Sequence, residues 1–200
     1  ARIKAVGTAG AGPASWEVYR KDGTIWIYGD TLDSRVVANG TSTAQTWMVN
    51  EIRDRNDNRV VFTYRAADAS TTGTTHPLTI QWAATTHGGS TWTYRMEFDY
   101  GANASATSIS AYVGGKPVKD SRLLTGVTVS ERVGGSYVAR RRYVLAYDDS
   151  PTTDGKRLTS VKDGCSQGAC GACMVLVDGR ARPACAVRLS RIAGSEVLTL

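Results

Sequence analysis

Residues 91–100 read Thr91-Trp-Thr-Tyr-Arg-Met-Glu-Phe-Asp-Tyr100. Trp92, Tyr94, Met96, Phe98 and Tyr100 take every second position, and Thr91, Thr93, Arg95, Glu97 and Asp99 take the others. Neighbouring side chains of an extended strand project to opposite faces, so this alternation puts one face on a core and the other in water. The stretch predicts a strand.

Turn chemistry on either side extends the reading. Trp16–Tyr19 and Ile25–Tyr28 flank Lys21-Asp22-Gly23, where Asp-Gly supplies the positive φ of a hairpin. Trp47–Ile52 and Val60–Tyr64 flank Asp54–Asn58, and Leu78–Trp82 reaches Trp92–Tyr100 across His87-Gly88-Gly89-Ser90. Val127–Val133 turns through Gly134-Gly135-Ser136 into Tyr137–Tyr147. Val outnumbers Leu 19 to 10, and Thr (23) and Gly (21) are abundant, which favours strands and tight turns over helices. The expected fold is mainly β, a succession of antiparallel hairpins of unequal length.

Composition narrows the function classes. Leu, Ile, Val and Phe supply only 38 of 200 residues, and five Trp with nine Tyr make up the missing apolar surface. A formal net charge of +6 is too small to keep such a chain unfolded. No apolar run is long enough for a transmembrane helix. The opening Ala-Arg-Ile-Lys-Ala-Val-Gly, with neither an initiator Met nor an apolar leader, reads as an internal piece of a longer chain. Arg140-Arg141-Arg142, between Tyr137 and Tyr143, is the one basic run, too short for a nucleic-acid groove and suited to a solvated strand edge. Asp54-Arg55-Asn56-Asp57-Asn58 begins like a calcium loop, but Arg59 and Arg65 stand where Gly and Glu belong, which leaves an Asx-rich turn. His76 and His87 lie in Thr- and Gly-rich stretches and read as solvated loop residues; no catalytic residue emerges.

The composition changes abruptly near the end. All sixteen aromatic residues lie at or before Tyr147, and all four cysteines lie at or after Cys165. Turn formers fill Asp148–Gly155 between them. Cys165, Cys170, Cys173 and Cys185 are spaced C-x4-C-x2-C-x11-C, and the first three match the loop of plant-type [2Fe–2S] clusters. Thiolates on so short a loop reach two irons only if the backbone wraps closely, and Gly164, Gly168 and Gly171 carry no Cβ to obstruct it. Backbone N–H groups at Gly168, Ala169, Gly171 and Ala172 are the expected donors to sulfur. A structural zinc, two disulfides or a redox dithiol at Cys170 and Cys173 remain open alternatives. Met174–Val177, the Asp178-Gly179 turn and Arg180–Ala184 predict a hairpin that returns the chain to Cys185.

Two family resemblances follow from these elements. Trp16–Gly29, Trp47–Tyr64, Ser121–Val129 and Arg142–Tyr147 together resemble the N-terminal region shared by the Salmonella virulence plasmid B protein and the B components of insecticidal Tc toxins, which is related to Rhs/YD-repeat shells. That resemblance covers residues 10–162 and implies a β-rich structural part of a toxin complex, without catalytic residues. Leu158–Cys185, extending through Val197-Leu-Thr-Leu200, resembles the iron–sulfur subunit of molybdenum hydroxylases such as xanthine dehydrogenase, aldehyde oxidoreductases and isoquinoline 1-oxidoreductase. By position, Cys165, Cys170, Cys173 and Cys185 correspond to that family's N-terminal [2Fe–2S] ligands. The β-hairpin and helix that precede the first Cys in that family are replaced here by Tyr143–Tyr147 and a Pro/Asp/Gly turn.

The resulting expectation is a β-rich toxin-shell-like region over residues 1–157 and a partial ferredoxin-like (β-grasp) iron–sulfur segment over 158–200. Its main function is [2Fe–2S] binding and one-electron transfer, with molybdopterin- and flavin-containing partners and a cytoplasmic location. The alternative is a structural shell fragment of a Tc/Rhs-type toxin, with other shell components as partners and an exported location. The junction Arg157-Leu-Thr-Ser-Val161 fits both families, as a crossover between similar short sequences would leave it.

Overall fold

The computed structural model describes residues 1–37, 40–65, 71–102, 109–153, 155–164, 174–184, 191 and 193–199. The chain forms β1 (Arg2–Val6), β2 (Ser15–Tyr19), β3 (Ile25–Tyr28), β4 (Arg35–Val37), β5 (Ala44–Trp47), β6 (Val49–Arg53), β7 (Arg59–Tyr64), β8 (Thr71–Thr72) and β9 (Pro77–Ala84). It continues with β10 (Trp92–Ala102), β11 (Ile109–Val113), β12 (Lys116–Asp120), β13 (Arg122–Val133), β14 (Ser136–Asp149), β15 (Lys156–Gly164), β16 (Met174–Val177), β17 (Arg180–Pro183) and β18 (Val197–Thr199). No α-helix occurs among the described residues.

Ten strands make one antiparallel sheet in the order β1-β2-β3-β6-β7-β9-β10-β13-β14-β15. Each strand follows its neighbour along the chain except where a short excursion intervenes. β4 pairs with β5 between β3 and β6, while β8, β11 and β12 leave the meander to form a three-stranded sheet. A second small sheet, β17-β16-β18, holds the described part of the C-terminal segment. The expected ferredoxin-like packing is not seen among these residues.

The alternation read at residues 91–100 continues across the sheet. Directly opposed residues share a face, and the register lines up Ile3, Val18, Trp26, Ile52, Val60, Trp82 and Tyr94. The next rows bring Phe62, Ile80, Met96 and Val129 together, then Phe98, Val127 and Tyr143. The opposite face is mixed: Lys4, Glu17, Ile27, Glu51, Val61, Gln81, Arg95 and Ser130. Lys4 pairs with Glu17 and Arg95 with Glu97 on that side.

The hairpins anticipated from turn chemistry form where expected. Gly23 has φ 85° between β2 and β3, and Gly134 and Gly135, at 58° and 90°, make the two-residue turn between β13 and β14. The expected strand Trp47–Ile52 is divided at Met48. Trp47 ends β5 and Val49 begins β6, because the β4–β5 hairpin folds over one face instead of joining the sheet. Its Trp47 ring meets Trp16 edge-on at 5.8 Å and donates from Nε1 to the carbonyls of Pro13 and Ala14. Gly29, at φ 73°, passes directly beneath that indole; a Cβ there would collide with Trp47 Cδ1 and would also have to adopt the left-handed region.

Arg140–Arg142 is exposed on β14: Arg140 falls at the register shift opposite Val129 and Ser130, where it bonds Glu131 at 2.8 Å, Arg141 stands opposite Val129, and the pairing with β15 begins only at Arg142, opposite Gly164. One local expectation is corrected. His76 is not a solvated loop residue. Its side chain is only 16 % exposed, because β12 of the inserted sheet closes over it.

Candidate functional site: an open sheet and a cysteine hairpin

The sheet is the dominant surface of the molecule, and much of its apolar face lacks a cover. The buried apolar side chains among the described residues are Val36, Ala44, Tyr64, Trp92 and Val177. Ile3, Tyr94, Val138, Leu158 and Val161 are exposed. The accessible area is 12185 Å² for a 21.4 kDa chain. A compact monomer of that mass exposes about 9,100 Å², so roughly a third more surface lies open than a closed globule would leave. At the β1 end, Ile3, Trp16, Val18, Tyr28 and Trp47 line a shallow, almost wholly apolar groove of about 410 Å³.

The loops at the sheet ends are tied down by their own polar groups. Asp54 accepts N–H bonds from Asn56 (2.8 Å) and Asn58 (2.9 Å) on one oxygen and the Asn58 amide (2.8 Å) on the other. These bonds hold its carboxyl below the usual range, the Asn58 side chain contributing most. The carboxylate serves the turn, in line with the Asx reading. Across from it, His87 Nε2 lies 2.7 Å from the Asn56 carbonyl and Arg59 donates to the Gly89 carbonyl at 2.8 Å, so the β6–β7 and β9–β10 turns brace one another.

A second polar cluster joins the inserted sheet to the main one. His76 Nε2 is 2.9 Å from Asp120 Oδ2, and its ring centroid lies 4.9 Å from that of Tyr100. Burial, and secondarily the Asp120 charge, push the Tyr100 phenol up to about 12. Tyr64, whose hydroxyl donates to the Val49 carbonyl at 2.6 Å, is also pushed up to about 12 by burial, with the Asp33 charge second. In an unfolded chain both phenols ionise near pH ~10. The folded state therefore holds these protons more tightly, and the stability they contribute is complete below pH ~10 and is lost as the pH rises towards 12. Alkaline titration is expected to unfold the sheet within that window, with the phenolate absorbance of Tyr64 and Tyr100 rising in the same step as the loss of β circular dichroism. Complete phenol ionisation near pH 10 with an intact sheet would contradict the packing of these two residues.

Cys165, Cys170, Cys173 and Cys185, and the anticipated donors Gly168, Ala169, Gly171 and Ala172, lie outside the described residues. Among the described residues no group of three His, Cys, Asp or Glu side chains is placed to hold a metal. The structure does describe the elements that adjoin the cysteines. β15 ends at Gly164, immediately before Cys165, as the last strand of the large sheet. The anticipated hairpin forms: β16 and β17 are joined by Asp178 and Gly179 at φ 50° and 73°. Its register sets Met174 opposite Pro183, the residues that flank Cys173 and Cys185 by one and two positions. β18 pairs on the other side of β16 and buries Val177 to 6 % exposure.

The match to the family described as Salmonella virulence plasmid 65kDa B protein, SpvB, spans residues 1–116. The chain belongs to this family. The SpvB-like fold extends beyond the matched region. The N-terminal domain of effector protein SpvB from Salmonella typhimurium strain LT2 superposes with a TM-score of 0.66 at 16 % identity, over 77 % of this chain and 62 % of that one. TcdB2-TccC3 superposes with a TM-score of 0.61 at 17 % identity, over 78 % of this chain and 10 % of its own. Short stretches of another kind also match. Aldehyde oxidoreductase of Megalodesulfovibrio gigas is 48 % identical over 44 residues, and the xanthine dehydrogenase iron-sulfur-binding subunit of Escherichia coli O157:H7 is 51 % identical over 43 residues. Each covers 22 % of this chain, which spans only 5 % and 27 % of those proteins. The SpvB-family sheet and a short segment similar to iron–sulfur subunits thus share one chain.

Proposed function

We propose that this chain is a structural β-shell part of a Tc/Rhs-type toxin complex and that its sheet packs against further shell components. The observation that carries this reading is the family match over residues 1–116 joined to an SpvB- and Tc-like fold over about three quarters of the chain. The open apolar face supports it, since an area of this kind is covered in an assembly and is a liability alone. The test is complementation. TcdB2-TccC3 from which the equivalent strands have been removed is mixed with this chain and passed over a sizing column. Co-elution of one copy per shell is the expected result, and separate elution at every concentration overturns the reading.

The short matches at 48 % and 51 % identity favour a second reading for the tail, cluster binding by Cys165, Cys170, Cys173 and Cys185. Four thiolates are a suitable donor set for [2Fe–2S], and the β16–β17 register supports a common origin for the third and fourth ligands at one end of a hairpin. When bound, such a cluster supplies one-electron transfer, here towards molybdopterin- and flavin-containing partners. The chain's own contribution would be the four sulfurs and the N–H groups of Gly168, Ala169, Gly171 and Ala172.

A further inference from the structure

We propose that β11 is a pairing edge for a second copy of this chain, strand to strand about a two-fold axis through Ala111. This goes beyond the shell reading and does not rest on it, since β11 belongs to the inserted sheet and not to the large one. Among the described residues β11 pairs with β12 alone. Ser110, Ala111, Tyr112 and Val113 are all exposed, Tyr112 at 75 % and Val113 at 53 %. An open edge presents unpaired N–H and C=O groups, and charges or proline are what keep a second strand away. The outer strands of the large sheet carry such charges, Arg2 and Lys4 on β1 and Lys156, Arg157 and Lys162 on β15. Ile109-Ser-Ala-Tyr-Val113 has neither a charge nor a proline.

The register determines which backbone groups face outward. Gly114 and Gly115, at φ 56° and 73°, make the two-residue turn between β11 and β12, so the closing residues Val113 and Lys116 form a hydrogen-bonded pair. Such pairs alternate with non-hydrogen-bonded ones along an antiparallel ladder. Tyr112 therefore stands in a non-hydrogen-bonded pair with Pro117, which has no N–H to give, and Ser110 stands likewise with Lys119. The N–H and C=O of Ser110 and Tyr112 point away from β12. In an antiparallel copy these groups find their match: Ser110 lies opposite the partner's Tyr112 and Tyr112 opposite the partner's Ser110, each pair exchanging two bonds. Ala111 then meets the partner's Ala111 on the axis, small against small, and Val113 stands opposite the partner's Ile109. No like charges meet along this seam, because β11 has none. The two β12 backbones lie three strand spacings apart, about 14 Å, which sets Lys116 and Lys119 of one copy beyond a Debye length from those of the other.

Sedimentation equilibrium of the full chain over about 5 to 500 µM tests the proposal, a range suited to the weak association of a small interface. A monomer–dimer equilibrium is expected; a monomer throughout, or open-ended growth past the dimer, overturns it. Ala111→Lys and Ala111→Glu each place like charges on the axis and should weaken the dimer by about threefold to tenfold. An equimolar mixture of the two variants should associate at least as tightly as the unmodified chain, because opposite charges then meet there. Only a pairing that sets residue 111 against itself gives this rescue, and a mixture as weak as either variant alone overturns the register. Ser110→Pro removes an outward N–H and no bond to β12, so it should also weaken the dimer and serves should the Ala111 variants fail to fold. Leu198→Lys, on the edge strand β18 of the C-terminal sheet, should leave the equilibrium unchanged. Loss of the dimer in Leu198→Lys with pairing retained in Ala111→Lys overturns β11 as the edge.

Discussion

Trp92→Ala is expected to lower the stability of the sheet by about 3–5 kcal/mol, the range for removing a large aromatic side chain from a packed core. Trp92 is 7 % exposed and begins β10, the strand that joins β9 to β13. The Arg59 guanidinium stands 5.7 Å from its ring centroid. The Tyr137 hydroxyl donates to the Trp92 carbonyl at 3.0 Å and receives the Gln81 amide at 3.2 Å. That backbone contact survives the substitution, so the loss isolates the indole. Tyr94 supplies the comparison: it occupies the same face two residues on and is 37 % exposed. Tyr94→Ala should cost less than half as much, because less apolar area leaves water at that position. Urea unfolding of the two variants decides the matter, and equal losses would mean that Trp92 does not anchor the face.

The second large effect concerns the tail. Reconstitution with iron and sulfide is expected to turn the protein brown, with two irons per chain and a paramagnetic signal on reduction. Cys170→Ser should abolish the colour, since a [2Fe–2S] cluster lacking one of its four protein ligands is poorly held. The same variant should leave the unfolding midpoint of the sheet unchanged, because β15 is held to β14 by a register running from Arg142–Gly164 to Asp149–Lys156. A colourless wild-type protein carrying one zinc, or none, removes the redox reading and leaves the shell reading untouched. The two readings therefore fail independently.

These two expectations depend on different kinds of information. The strand 91–100, the hairpin turns at Asp22-Gly23 and Gly134-Gly135, and the β16–β17 hairpin were legible because a period of two and a requirement for positive φ are local properties. The cysteine spacing was legible for the same reason, since metal chemistry dictates short separations along the chain. The strands of lower contrast were not. β1, with Arg2 and Lys4 on one side, owes its place to pairing with β2 and not to its own pattern. β15 runs unbroken from Lys156 to Gly164, across the point where the two family resemblances meet, because its backbone completes the edge of β14. The role of His76 was equally hidden, as it depends on Asp120, a neighbour far away in the chain.

Alternation, turn residues and thiol spacing determined, from the sequence alone, a β-rich chain with a cysteine motif at its end. Only the tertiary structure decided that ten strands share one open sheet, that β4–β5 folds over its face, and that His76 is closed in by β12. The physical reason is that strand pairing satisfies backbone groups whatever the side chains. Which strands meet, and what their meeting buries, is set by contacts between residues that no local pattern connects.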